Sequence, residues 1–140
     1  MRLLELELLY LLFKNLSQRQ HIKHQSLRGD EIAALYRVRD AIASSLDHPL
    51  TQDELVKISG MNALKLRKLF TQIFGKGIYE YCQFLRMQKA ARLMQEKHLS
   101  VSETGYQLGF TNLSYFGRLF EKHFGMKPKK WSDQHRSKDK

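Results

Sequence analysis

The sequence is poor in several features that mark whole classes of protein. It has a single cysteine, Cys82, so no disulfide can form within the chain, and it does not open with a charged and apolar signal segment. It has only two prolines and eight glycines in 140 residues, and apolar and polar residues never alternate over a sustained stretch. We therefore expect an all-α protein in a reducing, cytoplasmic location.

Long hydrophobic runs are missing as well. The densest apolar stretch, residues 3–16, contains Glu5 and Glu7 and falls short of the ~20 residues that a membrane span needs. We predict a protein-contact helix there, too short for a coiled coil of three or more heptads, followed by a polar linker. Residues 1–29 are thus predicted to be an N-terminal helical extension with no membrane contact.

The sequence also lacks the residue groupings that carry catalysis or hold metals. It has no paired carboxylates, no Ser, His and Asp set, no glycine-rich phosphate loop and no cluster of Cys and His. His21 and His24 lie three residues apart, but no third ligand stands near them. We expect no enzyme activity, no cofactor and no metal site.

Positive charge, in contrast, is in excess and is unevenly distributed. The net charge is +10, and residues 1–50 contain 7 basic and 6 acidic side chains, whereas residues 51–140 contain 17 and 8. A basic segment beside a nearly neutral one indicates a polyanion-binding surface in the later part. Nucleic acid is the first candidate for that polyanion, and an anionic membrane surface is the second.

An internal repeat occupies the basic part. The segment 50–61 aligns with 99–110 at an offset of 49 residues, and further matches follow at an offset of 50. Because a solenoid needs about three or more repeats to build a continuous core, two copies favour a pair of compact units. The later matches pair Leu69 and Phe70 with Leu119 and Phe120, Phe74 and Gly75 with Phe124 and Gly125, and Tyr81 with Trp131.

Each copy carries the local signals of two short helices joined by a tight turn. A capping box begins the first helix, a glycine marks the turn, an asparagine caps the second helix and a further glycine ends it. The second helix is apolar on one face and polar or basic on the other, as in a helix-turn-helix. In chain order these signals are Thr51 with Glu54, Gly60, Asn62 and Gly75, and then Ser100 with Glu103, Gly109, Asn112 and Gly125.

These signals predict two helix-turn-helix subdomains, at about 51–75 and 100–125, inside a domain that spans 30–140. Residues 78–96 contain neither glycine nor proline and predict a connecting helix of roughly 27 Å, compared with about 34 Å between successive major grooves on one face of B-DNA. A helix from Asp30 to about Asp47 would precede the first copy. A last helix, from Pro128 to about His135, would pack Trp131 beneath the second copy.

The stretch from Leu108 to Pro128, LGFTNLSYFGRLFEKHFGMKP, is similar to the signature of the AraC/XylS family of bacterial transcription regulators. The resemblance extends over residues 35–136. Residues 65–75 and the pair Arg86 and Met87 also resemble the iron-siderophore-responsive branch, with regulators of the pyochelin type.

The sequence departs from the family pattern at three places. Val56 and Gly105 stand where a small alanine is usual, and Gly77-Ile78 replaces a Ser-Pro helix start. A glycine inside a helix costs up to ~1 kcal/mol relative to alanine. We therefore expect Gly105 to make the second subdomain less rigid.

The resemblance implies which residues bind double-stranded promoter DNA. In the second helix of each copy, Arg67, Lys68 and Arg118 are suited to guanine edges, Leu64 to a thymine methyl, and Lys122 to a phosphate; an exposed lysine can also be simply solvated. We expect Phe110, Tyr115 and Phe116 to belong to the core rather than to stack on bases. The complete set is Asn62, Ala63, Leu64, Arg67, Lys68, Asn112, Leu113, Ser114, Arg118 and Lys122.

The function implied by the resemblance is that of a promoter-binding regulator, an activator, although the residues alone leave the direction of regulation open. It further implies dimerisation through residues 1–25 and a contact with RNA polymerase. No ligand-sensing domain is recognisable, so we expect a fragment or short form. Two alternatives stay open: an interaction protein that pairs with a longer relative through its N-terminal helix, and a protein that binds membrane surfaces. Because the two reading helices differ, each monomer should read a non-palindromic site.

Overall fold

The computed structural model describes residues 6–12 and 27–136, which form helices connected by turns and contain no strand. The prediction of an all-α protein is confirmed. The helices are α1 (Gly29–Ser44), α2 (Gln52–Ser59), α3 (Ala63–Phe74), α4 (Ile78–Glu96), α5 (Val101–Gln107), α6 (Leu113–Phe124) and α7 (Pro128–Arg136).

The N-terminal extension is described only in part. Residues 6–12 are helical, within the helix predicted over 3–16. Leu11 is buried there, whereas Leu6, Leu8, Leu9, Tyr10 and Leu12 are exposed. The remainder of that predicted helix, most of the polar linker, and the pair His21 and His24 lie outside the described residues.

The chain divides into two compact units. The first comprises Met1–Arg39 with Gln52–Ile78, and the second comprises Asp40–Thr51 with Tyr79–Lys140. The division therefore passes through α1 and through the first turn of α4. Each unit contains one copy of the repeat.

In the first unit, α2 packs against α3. Leu66 and Phe70 on α3 are completely buried, as are Leu35 and Val38 on α1. The ring of Phe74 lies 5.5 Å from that of Tyr36, edge to face, a favoured aromatic geometry. The apolar face predicted for the second helix of this copy is therefore its core face.

In the second unit, α5 and α6 pack against each other and against α7. Phe116 and Phe120 on α6 are completely buried, and the ring of Trp131 lies 5.7 Å from that of Phe120 and 5.8 Å from that of Phe124. The prediction that Trp131 packs beneath the second copy is confirmed. Arg136, at the end of α7, donates to the carbonyl oxygens of Met94 and Leu99, and so connects α7 to the end of α4 and to the segment that follows it.

One helix end differs from its prediction. We expected the helix before the first copy to reach about Asp47, but α1 ends at Ser44. The Ser44 hydroxyl donates to the carbonyl of Asp40 at 2.8 Å, and the Ser45 N–H bonds to Ile42 at 3.2 Å. The chain tightens into a turn at this point, because a serine side chain competes with the backbone for the last carbonyls.

Two further observations concern the described residues. None of their helices combines the length and the apolarity that crossing a membrane requires. Nor do residues 6–12 and 27–136 bring three or more His, Cys, Asp or Glu side chains together in a way that could hold a metal ion.

Candidate nucleic-acid interface

Helices α3 and α6 are built alike from cap to cap. Each has 12 residues, and each is preceded by an N-cap asparagine whose Oδ1 accepts the N–H three residues on, at 2.8 Å for Asn62 and 3.0 Å for Asn112. Each ends at a left-handed glycine, Gly75 with φ 77° and Gly125 with φ 79°. The caps predicted for both helices are confirmed. In each cap the acceptor is the oxygen of the asparagine side chain.

The turns that lead into these helices use glycine for different reasons. Gly60 has φ +69° and Gly109 has φ +84°, conformations that L side chains rarely adopt. A Cβ on Gly60 would meet nothing within 4 Å, whereas a Cβ on Gly109 would lie 1.9 Å from the carbonyl oxygen of Asp47. Gly109 thus permits a close backbone approach as well as a left-handed turn.

The outer face of α3 carries the predicted reading residues of the first unit. Leu64 is 68 % exposed, Arg67 and Lys68 are exposed, and Ala63 is half-buried. A leucine this exposed contributes little to the core. The face offers two cations and one apolar side chain.

Lys65, in the first turn of α3, is held by an acidic partner. Its Nζ lies 2.6 Å from Oε2 of Glu31 on α1. The hydrogen bond from Lys65, together with the one from the Arg28 N–H, lowers the pKa of Glu31 to about 2. The sequence reasoning missed this pair, because the residues lie far apart in the chain and no helical spacing relates them.

The outer face of α6 presents Ser114, Arg118 and Lys122, all exposed. They lie four residues apart, so they form one row along the helix. The Arg118 Cζ is 5.9 Å from the centre of the Tyr115 ring, within the range of a cation–π interaction. Arg118 therefore has an aromatic ring beside it.

Leu113, also predicted to read DNA, is half-buried at the start of α6. Its Cδ2 would lie 2.6 Å from a Cβ placed on Gly105, and the Phe116 ring would lie 3.2 Å away. The side chain points towards α5, so packing against that helix buries part of its surface. Gly105, which we expected to loosen this unit, lets α5 and α6 approach closely.

Arg86 on α4 is buried next to the turn of the second unit. Its Nη2 donates to the carbonyl oxygen of Leu108 at 2.6 Å, and its Cζ lies 3.8 Å above the Phe110 ring. Burial lowers the pKa of the guanidinium. The sequence reasoning used Arg86 only as a family likeness and missed this contact.

The three aromatic residues that we expected in the core fall into two groups. Phe110 and Phe116 are buried, which confirms the expectation for them. Tyr115 is only partly buried; its ring packs against the core, while its hydroxyl forms a hydrogen bond with the hydroxyl of Tyr79 on α4. Tyr115 thus connects the core to the outer face of α6.

Comparison with known proteins identifies the family to which this arrangement of helices belongs. A family profile described as a helix-turn-helix domain matches residues 55–134, more than half of the chain. The chain belongs to the AraC-type helix-turn-helix family. The family-level resemblance found in the sequence is thereby confirmed.

Relatives within this AraC-type family are regulators of transcription by name. The chain is 30 % identical over 105 residues to the uncharacterised HTH-type transcriptional regulator YpdC of Escherichia coli, covering 75 % of this chain and 36 % of YpdC. It is also 30 % identical over 105 residues to the HTH-type transcriptional activator RhaR of Klebsiella pneumoniae, covering 75 % of this chain and 37 % of RhaR. The chain spans about a third of the length of the curated relatives it matches.

Solved structures of AraC-type domains share the fold. An AraC-type regulator from Chromobacterium violaceum superposes with a TM-score of 0.70 at 23 % identity, covering 81 % of this chain and all of that one. The DNA-binding domain of AdpA, solved in complex with a target DNA, gives 0.70 at 19 % identity, covering 76 % and 96 %. At these identities the likeness concerns the fold alone.

Proposed function

We propose that this chain is the sequence-specific DNA-binding part of a transcription regulator, with α3 and α6 as its recognition helices. The observation that carries the proposal is the cap-to-cap equivalence of the two helices, each with a buried apolar face and an exposed polar face. In a helix-turn-helix the N-terminal part of the second helix meets base edges. The net charge of +10 supplies attraction to phosphate.

The exposed residues favour different bases for the two helices. Arg67, Lys68 and Arg118 are suited to the O6 and N7 acceptors of guanine, and Leu64 to the methyl group of thymine. Lys122, a turn beyond Arg118, is assigned to a phosphate. Because the two faces carry different side chains, each monomer would read a non-palindromic site.

The length of α4 supports the use of successive major grooves. It has 19 residues, equivalent to about 28 Å of helix, and successive major grooves on one face of B-DNA lie about 34 Å apart. We assign to the regulator the domain limits 30–140, with the helix-turn-helix subdomains at 51–75 and 100–125.

Finer assignments follow from the relatives and from short segments. RhaR is named a transcriptional activator, and we extend activation, with a contact to RNA polymerase, to this chain. The iron-siderophore branch is supported by residues 65–75 and by Arg86 and Met87 alone. Activation of a reporter promoter with and without an iron–siderophore complex would test both assignments.

A second candidate function, mixed or homodimerisation through residues 1–25, is favoured by the exposed apolar side chains at 6–12. Leu6, Leu9 and Leu12 lie at helical spacing and are all exposed. Sedimentation of the chain should show a dimer that Leu9→Lys dissociates. A monomer at all concentrations would rule out homodimerisation, and failure to co-sediment with a longer relative of the family would rule out mixed dimerisation.

The main proposal is tested by selecting duplexes from a random-sequence pool at physiological salt. We expect enrichment of one motif with two separate groups of preferred bases. Binding that enriches no motif would mean non-specific attraction to phosphate, and the proposal would be wrong.

A further inference from the structure

The geometry points to Tyr79 as a positioning residue for base recognition: its hydroxyl holds Tyr115, and the Tyr115 ring holds Arg118 in its reading orientation. This inference rests on the proposed function. It concerns residues of α4 and α6 within the second unit, and Tyr79 itself is not one of the predicted DNA-contacting residues.

The contacts form a continuous path. Tyr79 stands in the first turn of α4, and its hydroxyl bonds to that of Tyr115, 36 residues further along the chain. Tyr115 is the third residue of α6, and its backbone N–H is fixed by the Asn112 cap at 3.0 Å. Its ring centre lies 6.1 Å from that of Phe110 in the core. The backbone, the ring and the hydroxyl of Tyr115 are therefore each constrained by a different neighbour.

The exposure of Tyr79 distinguishes a positioning role from a role in stabilising the fold. Tyr79 is 62 % exposed, so burial of its ring contributes little to folding, and the hydroxyl contact is the feature that relates it to α6. The hydrogen bond with Tyr79 is also the main cause that raises the pKa of Tyr115. Either hydroxyl can be the donor in this pair.

Arg118 gains from a fixed ring. Its guanidinium lies 5.9 Å from the ring centre and is exposed, and an exposed arginine otherwise samples many rotamers. A bidentate contact to guanine needs the planar guanidinium in one orientation. When Tyr115 is held, the cation–π contact restricts the guanidinium before DNA arrives.

The test is a double-mutant cycle on DNA selected by the wild-type protein. Tyr79→Phe removes only the hydroxyl, and Tyr106→Phe, on α5 and 60 % exposed, is the matched control. Arg118→Ala first identifies the base pair that Arg118 reads. We expect Tyr79→Phe to reduce discrimination at that base pair by about two- to fivefold, the strength of an exposed cation–π contact, with the melting temperature unchanged.

The same substitution in the Arg118→Ala background should change nothing further, and Tyr106→Phe should leave discrimination intact. Undiminished discrimination in Tyr79→Phe would overturn the inference, and so would an equal loss in both backgrounds. If Arg118→Ala alters no base preference, there is no reading contact to position, and the inference is also wrong. Failure of the proposed function is a separate result, because the wild-type protein would then select no motif at all.

Discussion

The guanidinium of Arg86 donates to the main-chain carbonyl of Leu108 at 2.6 Å and lies 3.8 Å above the Phe110 ring. Leu108 is the C-cap residue of α5, so a side chain of α4 satisfies a carbonyl at the start of the turn into α6. A hydrogen bond from a charged group contributes about 1.5–3 kcal/mol to stability, which is more than a neutral one contributes. Arg86 thus fixes the turn that orients the second recognition helix.

Arg86→Ala should lower the free energy of unfolding by about 1.5–3 kcal/mol, because the Leu108 carbonyl loses its charged donor. Denaturant unfolding measures the change. Arg92→Ala is the control, since Arg92 is on the same helix but exposed, and its effect should stay within about 0.5 kcal/mol. Equal stability losses for the two variants would show that the buried contact has no special role.

The two turn glycines should respond differently to alanine. Gly60→Ala should cost about 1–2 kcal/mol, because only the left-handed backbone conformation is penalised. Gly109→Ala should cost about 1–3 kcal/mol more, since its Cβ would also meet the Asp47 carbonyl oxygen at 1.9 Å. Thermal unfolding of both variants provides the measurement. Equal losses at the two positions would argue against the close approach of Asp47.

For two glycines inside helices, we expect substitution to change the free energy of unfolding in opposite directions. Gly117→Ala in α6 should raise the free energy of unfolding by up to about 1 kcal/mol, because the new Cβ would meet nothing within 4 Å. Gly105→Leu in α5 should lower it by about 1–3 kcal/mol, because the space is occupied by Leu113 and Phe116. Stabilisation by both substitutions, measured in urea, would disprove tight packing between α5 and α6.

The Glu31–Lys65 ion pair predicts a pH dependence. Because the folded-state pKa of Glu31 is about 2, below its usual 4.5, the contribution of the pair is fully present above pH 4.5 and is lost as the pH falls towards 2. Glu31→Gln should therefore lower the melting temperature at pH 7, and the difference from wild type should vanish near pH 2. The control is Asp30→Asn, the neighbouring and more exposed carboxylate. A difference that stays constant from pH 7 to pH 2 would contradict the assignment.

Features set by neighbouring residues were predictable from the sequence, whereas contacts between distant residues were not. The caps Asn62, Asn112 and Gly125 act within one helical turn, so spacing alone locates them. The packing of Trp131 followed from the repeat. The bond from Arg86 to Leu108 spans 22 residues, and no periodicity relates two side chains that only the tertiary fold brings together.

At the candidate interface, too, the sequence predicted features of a single helix but not the contacts between helices. Exposure of Arg67 and Arg118 followed from helical periodicity, but the burial of Leu113 did not, because it depends on how closely α5 approaches α6. Gly105 was expected to cost stability as a glycine in a helix. In the fold it makes room for a neighbouring helix, which a propensity scale does not describe.

The measurement that tests the central claim most directly compares Arg118→Ala with Lys122→Ala on the selected motif and on random duplex DNA, across a range of salt concentrations. We predict that Arg118→Ala loses about 1–3 kcal/mol at one base pair of the motif. Lys122→Ala should weaken binding to all sequences alike and reduce the salt slope by about 1. Equal weakening of both DNAs by Arg118→Ala would contradict base reading by α6.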